Sequence, residues 1–414
     1  MYDCIVIGAG PSGMMAAATA SKFNKRIAII DQNPQLGRKM RLSGGGRCNI
    51  TNNKGIQEFI NHLPNKNGRF LYHALYTFGP KQIMDYFTNR GVSLKIEDHD
   101  RVFPESNRSL DFIMALEREL KTNQVEIVLE TSVDELIYSD DIIRVKTNRG
   151  TYKGKAVVIA TGGQSYPHTG STGFGYFWAQ KQGIQVTPLY PTETPILSST
   201  SWIKDKTLQG LSFRDIILRL KHQTKVIKEQ RHDLIITHFG LSGPAALMLS
   251  QFVYHHLEKH DEATIEIDFY PDMTHDELRY QLISLKKSQQ QKTVGNTLDT
   301  FGPKRLVHFI LEKNHIPQQL TMANIRNQHI QSFIEDLKQL TIIAHGVKPI
   351  QNAFVTGGGI AIKEINPKTM ECKKLPGIYF VGEVLDLHGY TGGYNITIAL
   401  STGYVAGSAI GLQA

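Results

Sequence analysis

The chain has 414 residues, which at about 150 residues per domain favours two to three domains. Hydrophobic residues make up 41% and charged residues 20%, a globular composition with ample core material that argues against disorder. Lys and Arg number 46 against 38 Asp and Glu, and the net charge of +8 permits anionic partners without requiring one.

No run approaches the roughly 18 apolar residues of a spanning helix. The first apolar run, Cys4–Ile7, ends at a glycine-rich turn and does not read as a signal peptide. Three scattered cysteines (Cys4, Cys48, Cys372) are too few for a disulfide framework or a zinc knuckle. The expectation is a cytoplasmic protein with no membrane partner and no metal centre.

Residues 2–7 are β-prone and apolar, suited to a buried parallel strand. Gly8-Ala9-Gly10-Pro11-Ser12-Gly13 follows, then the Ala- and Met-rich stretch Met14–Ser21, a good helix former. Arg26–Asp31 reads as a second strand closing on a carboxylate, with Gln32 after it. This is a βαβ dinucleotide fingerprint in its proper setting. Gly8 permits the turn, Gly10 lets backbone approach a pyrophosphate, and Gly13 lets helix pack on strand. The helix N-terminus offers free N–H groups to phosphates. Asp31, 23 residues beyond Gly8, is placed to accept from ribose hydroxyls. The fingerprint's place at the start of the sequence and the later motifs favour FAD over NAD.

Residues 37–49 carry three consecutive glycines between Ser43 and Arg47-Cys48-Asn49. Such a run costs backbone entropy in a regular element and suits a loop lying against a ligand. Arg38, Lys39, Arg41 and Arg47 surround it, and no acid falls between Asp31 and Glu58, so the local field reads as positive. The loop is expected along the pyrophosphate and flavin, with Lys39, Ser43, Gly44, Gly45, Arg47, Cys48 and Asn49 as contacts. Further on, Lys66, Arg69 and Lys81 interleave with Phe70, Tyr72, Tyr76 and Phe78. Cations among aromatics suit RNA, although Phe70, Ala74 and Phe78 are also spaced as a helix core face.

Val125–Leu129 and Ile142–Lys146 look like strands, and Val133 opens a segment placed to touch the adenine through its backbone. Ala156–Gly163 is another buried strand, and its end, Ala160-Thr161-Gly162, fits a return beneath the cofactor. Residues 191–270 hold the strand-like stretches Ile216–Leu220, Thr224–Ile227, Leu234–Thr237 and Thr264–Phe269, suggesting a small β-barrel or sheet. Within them, residues 204–231 hold eight Lys/Arg against three Asp/Glu, a second candidate RNA surface. His238–Pro244 then reads as a junction opening a helix. His275–Gln290, Thr297–Lys313 and Asn324–Leu340 read as helices. Finally, Gly377–Phe380 is a strand leading to Gly382-Glu383. It is followed by Gly389–Asn395 and a helix from about Ile396 to Ile410. Glu383 suits a ribityl or ribose contact. The helix N-terminus near Gly392, Gly393, Tyr394, Asn395 and Ile396 suits the flavin N1/O2 edge, where its partial positive charge favours reduced flavin.

Gly8–Gly13, the Ser-Gly-Gly-Gly-Arg-Cys-Asn loop, Ala160–Gly163 and Gly382-Glu383 with Gly392–Asn395 together resemble the BaiN/RdsA-like (YhiN-like) family of FAD-dependent oxidoreductases. The resemblance covers nearly the whole chain. Two departures stand out. The family's ribose-binding acid, often Glu, is Asp31 here. Val384–His388 replaces the Asp-rich residues often found after Gly-Glu, so no role for His388 carries over.

The resemblance implies a Rossmann-type FAD domain interrupted by an insertion, with NAD(P)H as a transient reductant. It also implies reduction of a C=C bond conjugated to a carbonyl, either in uridine of 23S rRNA, giving dihydrouridine, or in steroid-type enones. The sequence texture places residues 1–190 in the first part of the FAD domain, 191–274 in a β-rich subdomain, 275–342 in a helical subdomain and 343–414 in the second part. A flavin-binding protein without turnover is the alternative from another class. For the proton that follows hydride transfer, Cys48, Tyr166, His168, Tyr394 and His388 are candidates, with Cys48, His168 and Tyr394 foremost. No second GxGxxG marks a nicotinamide domain and no CxxC marks a disulfide reductase. The oligomeric state is not legible.

Overall fold

The computed structural model describes residues 1–64, 66–139 and 142–413, the Lys66 side chain excepted. Two compact units divide it: Met1–Tyr190 with Ile350–Ala414, and Pro191–Pro349.

The first unit is built on a mainly parallel sheet. Strand β1 (Tyr2–Ile7) lies between β2 (Ile27–Ile30) on one side and the strand Gly150–Ile159 on the other. Glu126–Val128 extends the β2 edge, and Ile378–Phe380 pairs beyond the 150–159 strand. The antiparallel strands Val133–Ile137 and Ile143–Thr147 join the first half of that same long strand. Chain order thus runs outward from β1 and then returns to its other side. That reversal opens a crevice at the carboxyl ends of β1 and Gly150–Ile159, where open α/β sheets bind ligands.

Helix α1 (Pro11–Ala20) packs on the long helix Tyr394–Leu412. The contact is made by absent side chains. A Cβ on Gly403 would overlap the Ser12 carbonyl oxygen, and one on Gly407 would press on the Ala16 carbonyl oxygen. The 394–412 helix has 19 residues and no charged side chain, so by length and composition it is apolar enough to cross a membrane, contrary to the reading of the sequence. Burial in the core accounts for that composition, since Leu400, Ala406 and Ile410 are enclosed in the first unit.

In the second unit the described strands close a barrel in the order Ile196–Ser198, Gly240–Ser242, Lys225–Thr237, Ser212–His222, Ala263–Asp268, Leu340–Val347. Helix Pro244–Leu257 and the helices His275–Ser288, Lys304–Lys313 and Asn327–Gln339 share one core with it. Four expectations need correction. The β-rich and helical parts are one unit, because Leu278, Ile310 and Phe333 pack in the same cluster as Leu218 and Ile265. Residues 343–347 belong to the barrel, not to the returning cofactor part, because closure needs Leu340–Val347 to pair with both Ala263–Asp268 and Ile196–Ser198. The stretches 224–227 and 234–237 are two ends of one strand, and Pro303 divides the expected helix 297–313.

Candidate cofactor site

The three fingerprint glycines serve different neighbours. A Cβ on Gly13 would overlap the Gly8 carbonyl oxygen, and one on Gly8 (φ +103°) would overlap that of Ala160. These two positions are fixed by the protein's own packing. A Cβ on Gly10 would meet nothing within 4 Å. Its smallness answers to space outside the chain, at the N-terminus of α1, which no side chain caps. Pro11 takes the first helical position, and Ser12 is buried against Gly382.

Asp31 is more occupied than expected. Its Oδ2 accepts from the Ala9 N–H at 2.6 Å, and its Oδ1 accepts from the Asn33 N–H and side-chain amide at 2.8 Å each. The carboxylate therefore clasps the fingerprint turn. Its lone pairs allow about four bonds, so room for a ribose hydroxyl persists. Gln32 donates to the Gly170 carbonyl at 2.9 Å. The backbone of residues 130 and 131 reaches this turn, through Glu130 N–H to Asn33 and Thr131 N–H to Asp31. Val133 itself opens an antiparallel strand paired with Thr147.

A second node forms around Glu383. Lys39 Nζ lies 2.7 Å from Oε2 and donates to Ser165 Oγ at 2.7 Å. Glu383 Oε1 accepts from the Thr356 N–H at 3.0 Å and from Ser165 Oγ at 3.1 Å. The positive field read from residues 37–49 is reduced by acids distant in sequence: Glu383 pairs with Lys39, and Glu97 pairs with Arg47 at 2.9 Å. The Arg47 guanidinium also lies over the Phe103 ring. Gly44, Gly45 and Gly46 all adopt left-handed backbone, and an added Cβ on Gly45 would again meet nothing within 4 Å. Ser43 bonds Met40, and the Asn49 side chain accepts from the Val102 N–H.

The third element is the N-terminus of the 394–412 helix. Gly393 (φ +95°) is pressed on Thr51, where a Cβ would overlap the backbone carbonyl. Asn395 closes the preceding loop on itself: its Oδ1 accepts from the Gly389 N–H, and its amide donates to the Gly389 carbonyl, both at 2.8 Å. Asn52 donates to the Gly392 carbonyl. As at Gly10, no side chain caps this helix. Ile396 sits half-buried in its first turn.

The proton-donor candidates separate sharply. Cys48 is 0% exposed, and burial pushes its thiol up to about 12. Its left-handed backbone (φ +60°) turns the side chain into the core beside Ser43. A group with no accessible surface cannot touch a substrate, so Cys48 is a packing residue. Tyr394 is also buried, packed between Phe59 and His62, and burial raises its phenol. His388 is buried edge-on to Tyr190. His168 is exposed, edge-on to Tyr166 at 5.6 Å.

Sequence reasoning missed Asn33, Ser165, Thr356 and Asn52. The one available signal was a second triple glycine, Gly357–Gly359, directly after Thr356. Among the described residues, the buried polar atoms without a partner include Arg41 Nε, Asn52 Oδ1 and Thr161 Oγ1 in this unit. The two uncapped helix N-termini and the open space at Gly10 and Gly45 fit a long, polar, phosphate-bearing group such as FAD.

The candidate RNA surfaces are less basic than their sequences. Arg219 pairs with Glu229 and Asp268, Lys221 with Glu266, and Arg231 with Asp215 and Asp272. In the 66–81 segment, Phe78 and Ala74 are core, whereas Tyr76 is 65% exposed and stacks on Tyr72.

The model of the HI0933-like protein Rossmann domain matches residues 2–409. The chain is 30% identical to a ribosomal RNA dihydrouridine synthase of Haemophilus influenzae, over 99% of this chain and 98% of that one. It is 27% identical to a 3-dehydro-bile acid delta(4,6)-reductase of Clostridium scindens, over 98% of both. Among solved structures, 3-ketosteroid delta1-dehydrogenase from Sterolibacterium denitrificans aligns over 99% of both chains with a TM-score of 0.52 at 13% identity, a likeness of fold.

Proposed function

The chain belongs to the HI0933-like Rossmann-domain family, and on that premise we propose that it is an FAD-dependent reductase that saturates the C5=C6 bond of a uridine in large-subunit ribosomal RNA, with NAD(P)H as electron source. The observation that carries this reading is the full-length 30% identity to ribosomal RNA dihydrouridine synthases of both Haemophilus influenzae and Escherichia coli. Bound FAD would supply the two-electron chemistry, taking hydride from NAD(P)H and delivering it to the electron-poor carbon of the enone.

The protein's part is position, field and a proton. The α1 N-terminus and the space at Gly10 would hold phosphates, and Asp31 would hold a ribose while clasping the turn. The Lys39–Glu383–Ser165 node would line the middle of the cofactor. The uncapped N-terminus at Gly393 would favour negative charge on the reduced ring. Half-buried Tyr166 and exposed His168 are the accessible proton donors left to serve C5 of the uracil. The exposed Tyr76, stacked on half-buried Tyr72, would offer a platform for an unstacked base.

Quantitative mass spectrometry of dihydrouridine in large-subunit rRNA, from cells with and without the gene, tests this reading. Loss of one dihydrouridine is expected, restored by the gene but not by a Gly10→Trp variant. An unchanged level overturns it. The full-length bile-acid reductase relative favours one second reading, a small-molecule enone as substrate. Steep salt dependence of substrate binding separates RNA from the small molecule.

A further inference from the structure

We propose that His222, His256 and His260 form a site for one transition-metal ion of the Zn2+ class on the barrel unit. His222 ends the strand Ser212–His222, His256 lies in the last turn of Pro244–Leu257, and His260 lies just beyond that helix. One ligand nitrogen from each lies within 4.8 Å of the other two. Ring centroids are 4.4 Å apart for His256–His260, 4.5 Å for His222–His260 and 5.5 Å for His222–His256.

The cluster lies at the C-terminal end of Pro244–Leu257, where the negative end of the helix macrodipole favours a cation.

Tetrahedral coordination at the usual Zn–N length brings ligand nitrogens to about 3.3 Å from one another. The remaining approach falls to His222 and His260, which are exposed and able to rotate. All-imidazole donors select zinc, nickel or copper over magnesium and calcium. Three ligands leave a fourth position open. The ion would staple a strand end to a helix end. Only the His256/His260 pair has a metal-like spacing in sequence, and its third member stands too far away to be read there.

The test uses the full-length, FAD-loaded protein after chelator treatment. Zn2+ is titrated in competition with a chromophoric chelator. One equivalent per chain is expected, with a rise in thermal midpoint. His222→Ala and His260→Ala should each weaken binding more than about tenfold, the loss that even an outer-shell partner causes. His255→Ala, whose side chain instead bonds Glu258 at 2.9 Å, should bind as wild type. Far-UV circular dichroism and a cooperative thermal transition without metal show that each variant is folded. The wild-type protein with Co2+ should give the intense visible bands of a tetrahedral site. Uptake of no Zn2+, equal binding by the His222→Ala and His260→Ala variants, or a weak six-coordinate Co2+ spectrum overturns the proposal.

Discussion

Two pairs of helices, one pair in each unit, start in contrasting ways. In the barrel unit, Thr274 caps His275–Ser288 in a reciprocal box with Glu277, and Thr293 caps Val294–Leu298. In the cofactor unit, α1 and Tyr394–Leu412 start at Gly10 and Gly393 without a side-chain cap, as do Pro244–Leu257, Lys304–Lys313 and Asn327–Gln339 in the barrel unit. A cap stabilises a helix by about 1 kcal/mol. What sets α1 apart is the open space at Gly10 beside its uncapped start, where a ligand rather than a side chain can meet the first N–H groups.

The largest expected effect breaks that comparison at its base. Gly13→Ala forces a Cβ into the Gly8 carbonyl and should cost about 3 kcal/mol together with flavin retention, read by thermal unfolding and by the flavin-to-protein absorbance ratio. Cys48→Ala should cost about 1–3 kcal/mol from a lost core contact, with turnover kept within about threefold. Collapse of turnover in a folded, flavin-loaded variant would return Cys48 to the chemistry.

Thr274→Ala should cost about 1 kcal/mol and leave flavin affinity untouched. Gly10→Ala should do the reverse. Its extended backbone (φ −76°, ψ −177°) accepts Ala, so the flavin-free protein should hold or gain a few tenths of a kcal/mol while flavin affinity falls. Equal responses from the two would erase the contrast.

The smallest effect is a pH dependence. Burial raises the Asp386 carboxyl above its ordinary range, against hydrogen bonds from Thr187 and Asn67. The folded state therefore holds this proton more tightly than the unfolded state. The resulting stability is complete below the ordinary aspartate pKa and is lost as pH rises through the raised value. Asp386→Asn should thus match the wild type in acid and exceed it at neutral pH, measured by denaturant midpoints across pH.

The legible parts were those whose signal is local. β1 and β2 read correctly because strands buried on both faces are continuous apolar runs. Lys225–Thr237 did not, because its outward face carries Glu229, Arg231 and Asp233, which break the run into two apparent strands. In the cofactor site Gly8 and Gly13 were legible, since each marks a close approach to backbone. The Lys39–Glu383 pair was not, because its partners are joined only by the fold. The chemistry of Cys48 and Tyr394 was overestimated for the same reason: a motif gives residue type, whereas burial comes from residues elsewhere.

The glycine seam between α1 and Tyr394–Leu412 also sets an order of events during synthesis. The fingerprint helix emerges first, but the surface that encloses Ser12 and Ala16 is made only when residues 403 and 407 appear. The barrel unit carries its own core within residues 191–349 and can fold while that helix still waits. Translation that stops short of residue 394 would therefore leave a folded barrel beside a nucleotide site that has never been assembled.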